Sequence, residues 1–232
     1  MSRRFTVLSA LVGVAAAIVV LAIAVSSGGG SSRRAAHVPG RDVTRIIRGI
    51  PQSGLTLGRP DAPVLLVEFA DPQCPFCREF AATSWPTIVQ KYIRTGKVRM
   101  ELRLIDILGA DSARANRALQ AAALQNRMWD ASMRFYDAQG QENTGYVTDR
   151  FLRQVLGGVR GLDAGRAMRD RSAPQVKEAL GAVHSLQSRY AVSSTPTLMI
   201  GTDVTDLRPV SEGVIAPEKL AQVINAALLR TV

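Results

Sequence analysis

The period of the hydrophobic positions changes several times along the chain, and each change marks an element. Residues 5–25 are 21 uncharged, almost wholly apolar positions. At about 1.5 Å per residue they are long enough to cross a bilayer as one helix. Arg3 and Arg4 precede them, as at the positive start of an export signal. The run is longer than the core of about 7–15 residues in a cleaved signal, so it reads as an uncleaved anchor. Ala22 and Ala24 leave a second reading open, a cleaved signal and a secreted product.

Residues 26–53 are rich in Ser, Gly and Arg at their start. They read as a flexible basic linker, either a plain spacer or a segment lying on anionic lipid. Folding is expected to begin near Gly49, with the domain itself over 54–232. Residues 64–70 are a short apolar run, the signature of a buried strand, which Asp71 and Pro72 end. A helix follows over 74–94, with a slight break at Trp85-Pro86, because proline removes a helix donor. Gly96 closes it. Val98, Met100, Leu102 and Leu104 then alternate with polar residues and predict a second strand.

Residues 111–190 are Ala-rich and helical, broken near Gly140, Gly157-Gly158 and Gly161. Trp129, Met133 and Tyr136 share one helical face, which reads as core rather than as a ligand box. Residues 197–200 form a third strand, and 207–214 pair beside it. An amphipathic helix over 217–229 ends the chain, with Pro217 in its first turn. Strand, helix, strand, helical block, two strands and helix make an α/β domain with a helical insertion.

Composition narrows the chemistry. Of 29 basic residues 25 are arginine, and the net charge is +10. The arginines are scattered, and aromatics make up only 5% of the chain, so a nucleic-acid footprint of clustered basic and aromatic residues is absent. Positive charge at Arg33, Arg34, Arg41 and Arg45 favours a cytoplasmic C-terminal side by the charge rule. Long domains translocate largely regardless of that charge, and the chemistry below fits an oxidising compartment.

There are two cysteines, Cys74 and Cys77. A scaffold stapled by disulfides would carry more, and structural zinc takes about four ligands. The two histidines, His37 and His184, lie far off without ligand spacing, so no metal site is expected. Cysteines three apart face each other across one helical turn, close enough for a bond of about 2.05 Å. Cys74 opens the predicted helix, where unpaired N–H groups and the helix dipole favour an anion. The thiolate is the nucleophile, so Cys74 is expected to attack and Cys77 to resolve. An inert structural disulfide and half a metal site are the alternatives for a lone motif.

The segment Glu68-Phe69-Ala70-Asp71-Pro72-Gln73-Cys74-Pro75-Phe76-Cys77, with Ser194-Thr195-Pro196-Thr197 downstream, resembles the DsbA-like branch of the thioredoxin superfamily. Residues 57–64 and Gly161-Leu162-Asp163 add to the likeness, which covers roughly 54–229. It implies a thioredoxin fold with a helical insertion, here preceded by a single N-terminal transmembrane helix. Cys74 and Cys77 match the redox pair. Pro196 matches the cis-proline beside the active site, which turns the chain so that the backbone of Thr195 pairs with substrate near Cys74, Pro75 and Phe76. Glu68 matches a buried acid that exchanges a proton with Cys77; the other reading is a strand-edge charge facing water. Two positions depart from the pattern. Phe76 stands where the strongest oxidants have His, and Ser194 where Gly is common.

With the anchor read from residues 5–25, the domain is expected outside the cytoplasm on a single pass. The resemblance further implies disulfide formation in cysteine-containing exported proteins. It implies no cofactor, and a quinone-linked membrane partner that reoxidises the pair. A reductase or isomerase of the same fold is the alternative, although 26–53 are short and polar for a dimerisation domain. A thioredoxin-like binding module without turnover is the reading from a different class.

Overall fold

The computed structural model describes residues 43–231. The expected anchor over 5–25 and most of the expected linker lie outside them. Among the described residues no helix is long and apolar enough to cross a membrane.

The fold grows outward from one strand. Strand β3 (Val64–Ala70) is buried at every position, as expected of a strand covered on both faces. The shorter β1 (Gln52–Ser53) and β2 (Thr56–Leu57) precede it, and β4 (Val98–Leu104), β5 (Thr197–Gly201) and β6 (Arg208–Glu212) follow. The sheet runs β1-β2-β4-β3-β5-β6. Among the described residues only the β3–β4 pair is parallel. Strand β5 lies antiparallel to β3 on its other side and carries β6 as a hairpin. β4 alternates buried and half-buried residues, with Val98, Met100, Leu102 and Leu104 inward as the period of two requires.

The crossover from β3 to β4 is helical. It comprises α2 (Pro75–Thr83), a short α3 (Trp85–Ile88) and a π-helical turn (Val89–Ile93). The break predicted at Trp85-Pro86 falls one residue earlier, at Ser84, whose hydroxyl donates to the Ile215 carbonyl at 2.5 Å. Pro86 lies within the first two positions of α3, where its missing donor costs nothing. Between β4 and β5 lies the insertion: α4 (Ala110–Ala123), α5 (Met128–Asp137), α6 (Asp149–Gly157), α7 (Ala164–Asp170) and α8 (Pro174–Arg189). The last helix, α9, is Pro217–Leu228.

Two apolar layers cover the sheet. Val64, Leu66, Ala70, Met100 and Leu102 share a large core with Phe80, Trp85 and Ile88 of the crossover, the alanines of α4, and Leu220 and Ile224 of α9. Leu65, Val67, Phe69 and Met199 share a smaller core with Val183 and Leu186 of α8. Trp129, Met133 and Tyr136 are buried in the large core, and Trp129 stacks on Trp85 with ring centroids 5.8 Å apart. That stack joins the insertion to the crossover.

The expected linker over 26–53 is too long at its C-terminal end. A short helix, α1 (Val43–Ile46), and β1 both fall inside it. Ile47 and Ile50 enter the large core, and the Arg94 guanidinium donates to the Ile46 carbonyl at 2.5 Å. The two isoleucines stand among arginines and a glycine without a legible period, which hid them.

Candidate active site

Both sulfurs lie where β3 gives way to α2. Cys74 caps α2 in an extended conformation, Pro75 takes a position in its first turn, and Cys77 follows one turn in. Cys74 is 4% exposed and Cys77 is fully buried, whereas Phe76 between them is 58% exposed. Both cysteines are free thiols. The Thr195-Pro196 peptide is cis, with Pro196 buried and Thr195 half-buried. It comes to the sulfur across the sheet: as a thiol, Cys74 Sγ donates to the Thr195 carbonyl at 3.3 Å. The Pro196 carbonyl accepts from the Gly213 N–H at 2.7 Å, which fixes the loop against the end of β6.

The two thiols are electrostatically unequal. A Cys74 thiolate accepts hydrogen bonds, foremost from the Cys77 thiol, then from the Thr195 side chain and the N–H groups of Cys77 and Phe76. Against partial burial these bring its pKa down to about 6. Burial drives Cys77 the other way, well above its ordinary value, and the hydrogen bond to Cys74 and the Glu68 charge add to the rise. One thiol of the pair is poised to be an anion near neutral pH and the other to keep its proton.

Glu68 is 2% exposed. It sits on the central strand in register with Leu102 on one side and Leu198 on the other. The water-facing alternative is therefore wrong. Burial first, and the Cys74 charge second, raise its pKa to about 8. Tyr136, from α5, is buried against the same group; burial and then the charges of Cys77 and Glu68 push its hydroxyl well above the usual value.

The structure also recruits residues that the sequence left unassigned. The buried Asp71 carboxylate accepts from Ser112 Oγ at 2.5 Å, Gln73 N at 2.8 Å and Leu108 N at 3.0 Å. Burial raises its pKa and these donors oppose the rise. Gln73 Nε2 donates to Ser112 Oγ at 2.9 Å, and Gln73 Oε1 accepts from Asn143 N at 2.9 Å. Gln139 Nε2 donates to the carbonyls of Pro72 at 2.8 Å and Cys74 at 3.1 Å. Asp71 and Gln73 stand inside the motif segment, so two polar residues before the pair were the available signal. Ser112, Gln139 and Asn143 come from the insertion, and nothing in their sequence marks them.

A family model described as Thioredoxin matches residues 52–226. The "Probable disulfide bond formation protein D" of Bacillus anthracis is 25% identical over 154 residues, 65% of this chain and 71% of that protein. Oxidised BdbD from Bacillus subtilis superposes with a TM-score of 0.64 at 19% identity, over 78% of this chain and 97% of that one. A thioredoxin-like oxidoreductase from Silicibacter pomeroyi superposes with a TM-score of 0.59 at 28% identity, over 81% and 97%. With the family model spanning most of the chain and a cysteine pair at the head of the first crossover helix, the chain belongs to the thioredoxin superfamily as a DsbA-like thiol–disulfide oxidoreductase.

Proposed function

We propose that the protein forms disulfides in cysteine-containing exported proteins, with Cys74 as the exchanging sulfur and Cys77 as the resolving one. The single observation that carries this reading is the asymmetry of the pair: Cys74 is held to about 6 while Cys77 is raised well above its ordinary value. In the oxidised enzyme a substrate thiolate attacks Cys74 Sγ. The Cys74–Cys77 bond breaks, a mixed disulfide forms, and Cys77 leaves as a thiolate that takes a proton, with Glu68 as the nearby donor. A second substrate thiolate then attacks the substrate sulfur of the mixed disulfide. Cys74 departs as a stabilised thiolate, and two electrons have passed from the substrate to the enzyme dithiol.

Pro75 and Phe76 would border the substrate on one side and Thr195 and Pro196 on the other. Phe76 offers apolar contact but, unlike His, no charge for the thiolate, so the poise should fall between thioredoxin and the strongest oxidants. The names of the relatives and the exported-looking N-terminus support a domain outside the cytoplasm. Residues 5–25 would hold it on the membrane, or would be cleaved to release it. A quinone-linked membrane protein would reoxidise the dithiol.

The test is to express Cys77→Ser and Cys74→Ser in the native host and run non-reducing gels. Cys77→Ser keeps the exchanging sulfur and loses the resolving one, so mixed disulfides should accumulate; Cys74→Ser should trap few. Mass spectrometry of the bands then separates exported substrates from a membrane partner. Equal trapping by both variants would refute the assigned roles. No trapping by either folded variant would favour a binding module or a structural disulfide.

A further inference from the structure

The residues before the sulfur are held by their own turn and by side chains of the insertion. Asp71 is tied to Ser112 of α4, and Gln73 to Ser112 and to the Asn143 backbone. Two carbonyls of the same stretch, those of Pro72 and Cys74, have one side-chain donor in common, the amide of Gln139. Gln139 is half-buried and lies just past the end of α5. The Cys74 carbonyl is already the first acceptor of α2, taking the Arg78 N–H at 3.2 Å.

We infer that Gln139 is a positioning residue for Cys74, one amide fixing the Pro72–Gln73 and Cys74–Pro75 peptide units on either side of the nucleophile and setting its positive N–H ends against their carbonyl oxygens. Both effects favour the thiolate. Fixing the loop keeps the sulfur over the N–H groups of Phe76 and Cys77, which are donors only in that geometry. The positive N–H ends of the amide partly offset the negative potential of these two carbonyl oxygens, in a site where burial strengthens every dipole. The side chain adds no charge of its own, and it does not touch the sulfur. The groups that share the sulfur's surroundings are Cys77, Glu68, Tyr136 and Thr195. Exposed Arg78 and Asp137 lie further out, lining the crevice of about 30 Å³ between α2 and α5 that Tyr136 also borders.

The inference rests on Cys74 being the exchanging sulfur, and its test is separable from that reading. The full chain, reduced and in detergent, is titrated by thiolate absorbance, with Gln139→Leu and Gln139→Glu beside the parent. Gln139→Leu removes both donors, and Cys74 should titrate about half a unit to one unit higher. At the parent's midpoint the reaction with a small disulfide should then slow about two- to fivefold. Gln139→Glu keeps the size and sets a carboxylate against two carbonyls, so its shift should exceed that of Gln139→Leu. A merely structural residue would lower the melting temperature and leave the titration of Gln139→Leu in place. A folded Gln139→Leu whose Cys74 titrates where the parent's does would overturn the inference. If Gln139→Leu does not fold, Gln139→Met, which also lacks the amide donors and adds no charge, decides it by the same criterion. Failure of the trapping experiment would remove the reading of Cys74 as nucleophile; an unmoved titration would remove only the role of Gln139.

Discussion

Glu68 sits between two leucines in the middle of the sheet, a costly place for a carboxylate. Its raised pKa of about 8 means that the fold holds the proton more tightly than the unfolded chain does. Stability from this group is complete below the unfolded value of about 4.3 and is lost as pH rises through about 8. Cys74 has the opposite sign. Its depressed pKa of about 6 gives the reduced fold stability that is complete above the unfolded value of about 8.5 and fades as pH falls through about 6. In Glu68→Gln the loss of stability on going from about pH 5 to 8 should flatten, as chemical unfolding of the reduced protein at several pH values would show. The same variant should slow the steps in which Cys77 gains or loses its proton by about 10²-fold, measured by stopped-flow exchange with a dithiol peptide. Unchanged rates over about pH 6 to 8 would mean that the proton travels by another route. The burial of Glu68 is legible in the sequence, because the apolar run around it argues against a water-facing charge, whereas its proton-exchange role comes from the resemblance alone. Asp71 escaped that logic: a polar residue at a strand end is ordinary, and only the structure shows three donors converging on it.

At the scale of elements, sequence periods read well wherever one face is buried. β4, with its strict alternation, and α9, with Pro217 in its first turn, are found as expected. The π-helical turn Val89–Ile93 carries no composition signal, because its hydrogen bonds differ from those of an α-helix while its residues do not. The partners of the insertion were also illegible, since contacts between distant elements follow from packing rather than from local pattern. The Trp85–Trp129 stack is the clearest case. Both rings are fully buried, and the Trp129 indole N–H donates to the Leu55 carbonyl at 2.9 Å. Trp129→Ala should therefore cost about 3–5 kcal/mol, part of it from the cavity left against Trp85. Denaturant unfolding of the full chain would check this, and a loss below about 1 kcal/mol would mean that the insertion docks by other contacts.

For the molecule as a whole, the placement of the described domain relative to the membrane decides what it can oxidise. The basic residues after position 25 argue for one side and the redox chemistry for the other. Cys74, once reduced, should react with a membrane-impermeant maleimide in intact cells; labelling only after lysis would place the domain in the cytoplasm. The adducts can be weighed as well as detected. Cys77 has no exposed surface, and burial first of all holds it protonated, so the folded chain presents a single reactive sulfur to any bulky reagent. A native sample should gain the mass of one maleimide per chain and an unfolded one the mass of two. A cell that floods this protein with electrophiles would therefore disarm it at a fixed stoichiometry, while its second thiol stays intact beneath the first.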